Sequence, residues 1–462
     1  MRTAVSVKAA VSVKTASNPE RAASRPTSHR SLLPLHPRVV ALVVGLLVLA
    51  GFAGAASAED GLDRGDTAWI LVATAFVLFM NIPGLALFYG GLVRTKNVLS
   101  VLMQCLALTG VITLVWLAFG YSLAFDEGSG VLGGLSKAFL RGVTGDTLHG
   151  SIPEVLFFSF QMTFAIITPA LIIGAVVERM RFAPLMIFSV VWVVVVYLPV
   201  CHMVWGPGGT LAGMGVLDFA GGIVVHVTAG VAALVACIVL GPRSGYGQTP
   251  IFPHNLTMTV TGTAMLWVGW FGFNGGSALA ADGGAAMAIT VTHISAATAA
   301  CAWSAVEWVE HGKPSALGFA TGAIAGLAAV TPASGFIGPI GGFLIGLTAG
   351  VLCYVASTIV KMRLGYDDSL DVFGVHGVGG FVGTVMAGFL ASEIFGGNQG
   401  DLAMGAQTAL QLGAALGVGL YTGVASWLIL KLVGAITPLR VSEQDETQGL
   451  DISQHEEAGY RY

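Results

Sequence analysis

Charge is what this chain has least of. Its 462 residues include 21 Lys and Arg and 25 Asp and Glu, 10% in all. A soluble domain carries about 25%. The deficit excludes an ordinary water-soluble globular domain and points to a polytopic membrane protein, as does the mean hydropathy of +0.81. The net charge of -4 is too small to mark nucleic acid as a partner. Cysteine is also scarce. Cys105, Cys201, Cys237, Cys301 and Cys353 all lie in apolar segments, with no CxxC and no Cys/His metal spacing. They read as small buried hydrophobes. There is no nucleophile–base constellation, phosphate loop or metal motif, so neither an enzyme nor a cofactor is expected.

What is present is apolar sequence in long runs, interleaved with 64 glycines. Glycine is frequent in membrane helices, where it lets backbones approach closely. The first 58 residues differ. Residues 1–38 hold seven Lys or Arg and one acid, and then "VVALVVGLLVLAGFAGAASAED" follows. Arg30 and Arg38 form a basic n-region, residues 39–53 an apolar h-region, and Ala56-Ser57-Ala58 a small-residue cleavage site. This is a secretory signal pattern, which places the mature N-terminus near Glu59. An uncleaved first membrane helix is the alternative.

A membrane helix needs about 20 mostly apolar residues. Eleven candidates follow, near 67–92, 98–124, 154–177, 182–204, 222–241, 254–275, 287–311, 316–332, 336–361, 374–394 and 403–434. The expected fold is an all-α polytopic membrane protein. It has eleven transmembrane helices, in two inverted five-helix repeats plus a long last helix. The division is 1–58 extension and signal, 59–434 membrane domain and 435–462 cytoplasmic tail, with no signalling domain after residue 434.

Loops after odd-numbered helices contain Arg94, Lys96, Arg179, Arg181, Arg243, Lys313, Lys361 and Arg363, against only Lys137 and Arg141 after even-numbered ones. The excess places the odd loops and the C-terminus in the cytoplasm and the mature N-terminus outside. Five helices per half is an odd number, so the second half must run inverted, as in many transporters.

The fifth helix of the first half opens with "DFAGGIVVH" and that of the second half with "DVFGVH". Asp218 with His226 thus answers Asp371 with His376. An ionisable residue inside a membrane is costly and marks function by default. Two neutral imidazoles at equivalent positions can meet across the pseudo-two-fold axis and share a hydrogen bond. Metal or haem ligation is the alternative for the pair, although zinc would want a third ligand. His293 reads as structural, while His202, beside Met203 and Trp205, can line a vestibule.

"FSFQMTFA" puts Phe160 and Phe164 four apart on one helix face. "HMVWGPGG" supplies Trp205, and "WVGWFGFNGGS" supplies Trp270, Phe273 and Ser277. Singly, each fits a core or an interfacial belt. Together they can form an aromatic cup that attracts a small cation, with the Ser277 hydroxyl accepting an N–H bond. Asp218 is expected to cap the fifth helix, with ligand contact as the alternative, and Asp371 to do the same at the other end.

From about Trp69 to Tyr460 the chain resembles the ammonium transporters of the Amt type, within the Amt/Mep/Rh superfamily. The matching stretches are "LFMNIPGLALFYGGLVRTKNVLS", "IIGAVVERMRF", "HMVWG", "LDFAGGIVVH", "GWFGFNGGS", "KPSALGFATGAIAGLAAVTPA" and "DVFGVHGVGG". The resemblance implies a homotrimer with one pore per subunit. It implies an outer recruitment site at Phe164, Trp205 and Ser277 and a phenylalanine gate at Phe164 and Phe273. Twin pore histidines fall on His226 and His376, a structural and electrostatic aspartate on Asp218, and a pore-flanking position on Trp270. It further implies uptake of ammonium, with methylammonium as analogue, by deprotonation, ammonia passage and electrogenic proton co-transfer. An Rh-like electroneutral channel for ammonia or carbon dioxide and an ammonium sensor are the alternatives. The tail resembles one that docks on the inner face and supports regulation by a PII-type signalling protein. "GLD" at 449–451 and Tyr460 match it, but Glu456 follows His455 where the family usually has glycine.

Overall fold

The computed structural model describes residues 61–460. The expected signal peptide and its cleavage site lie outside them. Among the described residues nine helices are long and apolar enough to cross a membrane. They are α1 Arg64–Leu92, α2 Thr95–Phe125, α3 Glu154–Val176, α4 Phe182–Gly213, α5 Gly222–Leu240, α7 Gly283–His311, α9 Pro339–Leu364, α10 Phe373–Leu390 and α11 Met404–Ile436. The other two expected segments are also helical. α6 runs Leu256–Trp270 and continues through Phe271–Gly275. α8, Ala316–Val330, is shorter than a full span. Two short helices follow in the tail, α12 Glu443–Gln448 and α13 Leu450–His455. A two-residue hairpin, β1 Leu148–His149 with β2 Ile152–Pro153, leads into α3.

Four helices, α1, α6, α7 and α8, begin where short polar side chains satisfy free backbone N–H groups. Asp63 accepts from Asp66 N, Asn255 from Met258 N, Asp282 from Ala285 N and Ser315 from Gly318 N. The Asp282 cap starts α7 at Gly283, four residues before the expected start, because it offsets the weak helix propensity of Gly283 and Gly284.

Seven π-helical turns interrupt the bundle among the described residues: Met80–Leu85, Trp116–Gly120, Val193–Tyr197, Gly222–Val227, Phe271–Gly275, Ala356–Val360 and Phe373–Gly377. Such turns are rare and cluster at functional sites. Six of them pair between the halves, α1 with α6, α4 with α9 and α5 with α10. That pairing is a structural trace of the repeat, and two of its three pairs do not involve the histidines.

α3 is the most enclosed helix, with 89% of its apolar window buried. α5 packs between α3 and α11 and crosses α10. The crossing is set by glycine. A Cβ on Gly230 would stand 2.2 Å from Gly377 Cα, and one on Gly380 would stand 2.6 Å from His226 Cβ. Neither distance is possible for real side chains, so only glycine lets α5 and α10 touch here.

Candidate pore and substrate site

The contact between α5 and α10 brings the two membrane histidines together. Both lie on π turns, and both are nearly fully buried. His226 Nδ1 and His376 Nδ1 are 3.2 Å apart, and the rings stack at 5.2 Å with 16° between planes. One Nδ1 must donate and the other accept, so the two neutral rings hold opposite tautomers. His226 Nε2 is buried with no partner among the described residues. No group of three or more His, Cys, Asp or Glu that could hold a metal ion occurs among them either.

The pair lies in a narrow apolar cavity whose walls include Leu85, Phe88, Ile167, Leu171, Val225, Trp270 and Phe273. Trp270 stacks on His226 at 5.5 Å, and its indole N–H donates to Thr331 Oγ1 at 2.9 Å. Phe164 of α3 meets Phe273 of α6 at 4.3 Å, both almost completely buried. Phe273 lines the cavity, and Phe164 packs against it from outside the lining. Beyond them the Trp205 ring meets Phe164 edge-on, at 6.0 Å and 87°. Phe160 adds a second ring 5.0 Å from Phe164.

Two hydrogen bonds decide what this end can offer a ligand. Trp205 Nε1 donates to Asp218 O at 2.8 Å, which leaves the indole face rather than its N–H. Ser277 Oγ donates to Phe273 O at 2.8 Å, which leaves the hydroxyl oxygen as an acceptor. Both side chains are partly exposed. The set therefore offers π faces and an acceptor, a combination suited to a small cation that carries N–H groups.

Asp218 is a cap. Its carboxylate accepts from the N–H groups of Gly221, Gly222, Ile223 and Val224 at 3.0, 2.6, 2.8 and 3.1 Å. Burial pushes its carboxyl up to about 6, against the pull of those four donors.

The expected counterpart at the other end needs correction. Asp371 does not cap α10. Its backbone is left-handed, with φ 61°, and its carboxylate takes the ammonium of Lys361. The cap is Asp368, which accepts from Phe373 N at 2.7 Å, and burial pushes its carboxyl up to about 6 as well. Asp218 precedes His226 by eight residues and Asp368 precedes His376 by eight, so equal spacing was the signal available.

His202 also needs correction. It is fully buried, with Nδ1 2.9 Å from Ala124 O and Nε2 2.8 Å from Ser129 O, and it lines no vestibule. Ala124 O, near the end of α2, and Ser129 O, in the loop after it, flank the two ring nitrogens. His293 lies exposed on α7 beside Trp267.

Towards the tail end lies a second cavity, of about 280 Å³, that reaches His376 and is lined by Tyr89, Glu307, Ser357 and Asp371 among others. This end is also where the tail docks. Leu450 N donates to Asn97 Oδ1 and Ser100 N to Asp451 Oδ1, each at 2.8 Å. Ser244 N donates to Glu446 Oε1 at 2.6 Å, and Arg440 pairs with Glu446 at 2.8 Å. Beneath the tail, Glu178 joins Arg94 and Arg243 at 3.0 and 3.1 Å, and Arg243 joins Asp367 at 2.8 Å. The paired arginines hold Glu178 and Asp367 below their ordinary carboxylate values despite burial. Leu450 and Asp451 belong to the "GLD" read from sequence, whereas their partners Asn97 and Ser100, and the Ser244–Glu446 contact, were not singled out.

Residues 68–460 match the Ammonium Transporter Family. The chain is 44% identical over 418 residues to an ammonium transporter of Aquifex aeolicus, covering 90% of this chain and 97% of that one. It is 44% identical over 405 residues to an ammonium transporter of Bacillus subtilis, covering 87% and 99%. Among solved structures it resembles Mep2 of Candida albicans, with a TM-score of 0.78, 35% identity and 84% and 88% of the two chains covered. It also resembles a sensor Amt protein, with a TM-score of 0.79, 28% identity and 85% and 98% covered. The chain, a multi-pass membrane protein, belongs to the ammonium transporter family.

Proposed function

We propose that this chain takes up ammonium by stripping it of a proton. Ammonium gathers against the faces of Trp205 and Phe164 and gives an N–H bond to Ser277 Oγ. Potassium carries the same charge and feels the same π faces, so the cup alone discriminates poorly. Deprotonation discriminates, because potassium has no proton to lose. A full charge entering the apolar cavity would face a large desolvation cost, whereas neutral ammonia would not. Ammonia then passes the Phe164–Phe273 gate and runs along the His226–His376 pair. The proton follows separately, which makes uptake electrogenic. Asp218 and Asp368 hold the starts of α5 and α10, and so the positions of the two histidines.

The observation that carries this reading is the order of groups from one end to the other: Trp205, Phe164, Phe273, His226, His376, then the tail-end cavity. Cation-attracting groups come first and an apolar, imidazole-lined passage second. An Rh-like electroneutral channel would have no use for the Trp205–Ser277 cup. A sensor remains the reading in which transport is incidental, and the likeness to a sensor Amt protein supports keeping it.

The working unit is a homotrimer with all eleven helices crossing, the tail and its docking cavity in the cytoplasm, and the mature N-terminus outside. The eight-to-two excess of Lys and Arg in the tail-side loops supports this orientation. A PII-type protein at the tail-side mouth is the proposed regulator. Labelled methylammonium uptake into proteoliposomes tests the substrate: excess ammonium should suppress it and equal potassium should not. Equal suppression by both ions would remove the basis for selectivity by deprotonation.

A further inference from the structure

Two buried asparagines stand outside every role described so far. Asn81 lies on the π turn of α1 and Asn274 on the π turn of α6, the first helix of each half. Both are completely buried. Asn81 Nδ2 donates to Thr109 Oγ1 on α2 at 2.7 Å. Asn274 Nδ2 donates to Thr292 Oγ1 on α7 at 2.8 Å. The two pairs therefore join equivalent helices, first to second, in each half.

The amide orientation follows from the threonines. Thr109 Oγ1 donates its one proton to Cys105 O at 2.9 Å, and Thr292 Oγ1 donates its own to Ala288 O at 2.6 Å. Each hydroxyl can then only accept, so the asparagine atom facing it must be Nδ2. Oδ1 is consequently left over on both residues. Neither Asn81 Oδ1 nor Asn274 Oδ1 meets a donor among the described residues.

A single orphaned acceptor would count as local strain. Two at repeat-related positions, both deep in a membrane bundle, are a built feature, because a buried carbonyl oxygen without a donor is destabilising. Their neighbours narrow the ligand. Met80 precedes Asn81 and Phe273 precedes Asn274, and both line the cavity that holds the histidine pair. We infer that Asn81 and Asn274 form a matched pair of binding sites, each Oδ1 accepting from one small O–H or N–H donor, water or ammonia. Both side chains are wholly buried, so a small neutral donor suits them better than a charged one. A buried water characteristically answers such otherwise unsatisfied groups, and ammonia offers the same N–H geometry to the same oxygen.

The test is an experimental structure of the full chain in lipid nanodiscs, resolved well enough to show ordered water, with and without ammonium chloride. One isolated density is expected within hydrogen-bonding distance of each Oδ1. Density present in both samples identifies water, and density present only with ammonium identifies ammonia; either supports the sites. A bare oxygen at either asparagine in both samples overturns the matched pair. Asn274→Leu keeps the bulk and removes the acceptor. It should lose the density at 274 and keep the one at 81, and density that persists at 274 would also overturn the proposal.

Discussion

His226 Nδ1 faces His376 Nδ1 at 3.2 Å, each ring contributed by the last helix of its own half. The contact leaves two neutral imidazoles in a cavity otherwise lined by apolar and aromatic side chains. Among the side chains lining this cavity in the described residues, the two histidines are those able both to donate and to accept a proton. In His376→Ala the pair is broken and the cavity is enlarged, so the ammonium-to-potassium conductance ratio should fall by about tenfold, or about 1.4 kcal/mol. Currents from reconstituted protein measure it, and an unchanged ratio with unchanged flux would count against the pair.

The close crossing of α5 and α10 makes Gly230 intolerant of any side chain. Gly230→Ala drives a methyl to 2.2 Å from Gly377 Cα and must push the helices apart. Overpacking of this kind costs about 1–3 kcal/mol. A lower midpoint in thermal unfolding in detergent is expected. Gly413→Ala, in the interior of α11 and meeting nothing within 4 Å, serves as the control and should leave the midpoint in place or raise it.

Asp218 supports a pH prediction whose sign follows from its raised value. An ordinary aspartate ionises near 3.8 and this one near 6. Between those values the folded chain holds the proton while the unfolded chain has released it, so stability falls as pH rises through that interval and levels off above it. Asp218→Asn removes this dependence. It also sets an amide NH2 against two of the four backbone donors, at roughly 1–3 kcal/mol for each group left unpaired. Thermal midpoints of wild type minus variant should shrink from pH 4 to pH 6 and stay flat above. A difference that grows over that range would show that the carboxyl ionises below its ordinary value.

Glu456 takes the left-handed conformation at the end of α13, with φ 57° and ψ 25°. The turn that glycine would make is therefore made here by glutamate, at a cost of roughly 1–2 kcal/mol. Glu456→Gly should relieve it and hold the tail more firmly. Slower hydrogen–deuterium exchange across residues 443–455 is the expected readout, and faster exchange would contradict it.

The helices and the histidine pair were legible because the signals are local or repeated. Apolar runs mark spans, and "IVVH" and "FGVH" occur once in each half. The aromatic row was legible as residue types, but its order needed the fold. Asp368 was missed because the acid nearest His376 was taken instead of the one at the spacing set by Asp218 and His226. The double carbonyl clamp on His202 comes from residues 78 and 73 positions away, which no local pattern reports. The π turns leave no compositional mark, since one extra residue per turn changes geometry and not chemistry. The tail's partners Asn97 and Ser100, in the first turns of α2, and Ser244, in the loop after α5, are unremarkable polar residues until α13 and Glu446 reach them.

Whether ammonium loses its proton and both parts cross is settled most directly by current across a planar membrane loaded with proteoliposomes. Jumps of ammonium, methylammonium and potassium should be compared at equal concentration. Ammonium should give an inward positive current, methylammonium a smaller one and potassium none. Ammonia flux without any current would contradict electrogenic uptake, and a potassium current equal to that of ammonium would contradict selection by deprotonation.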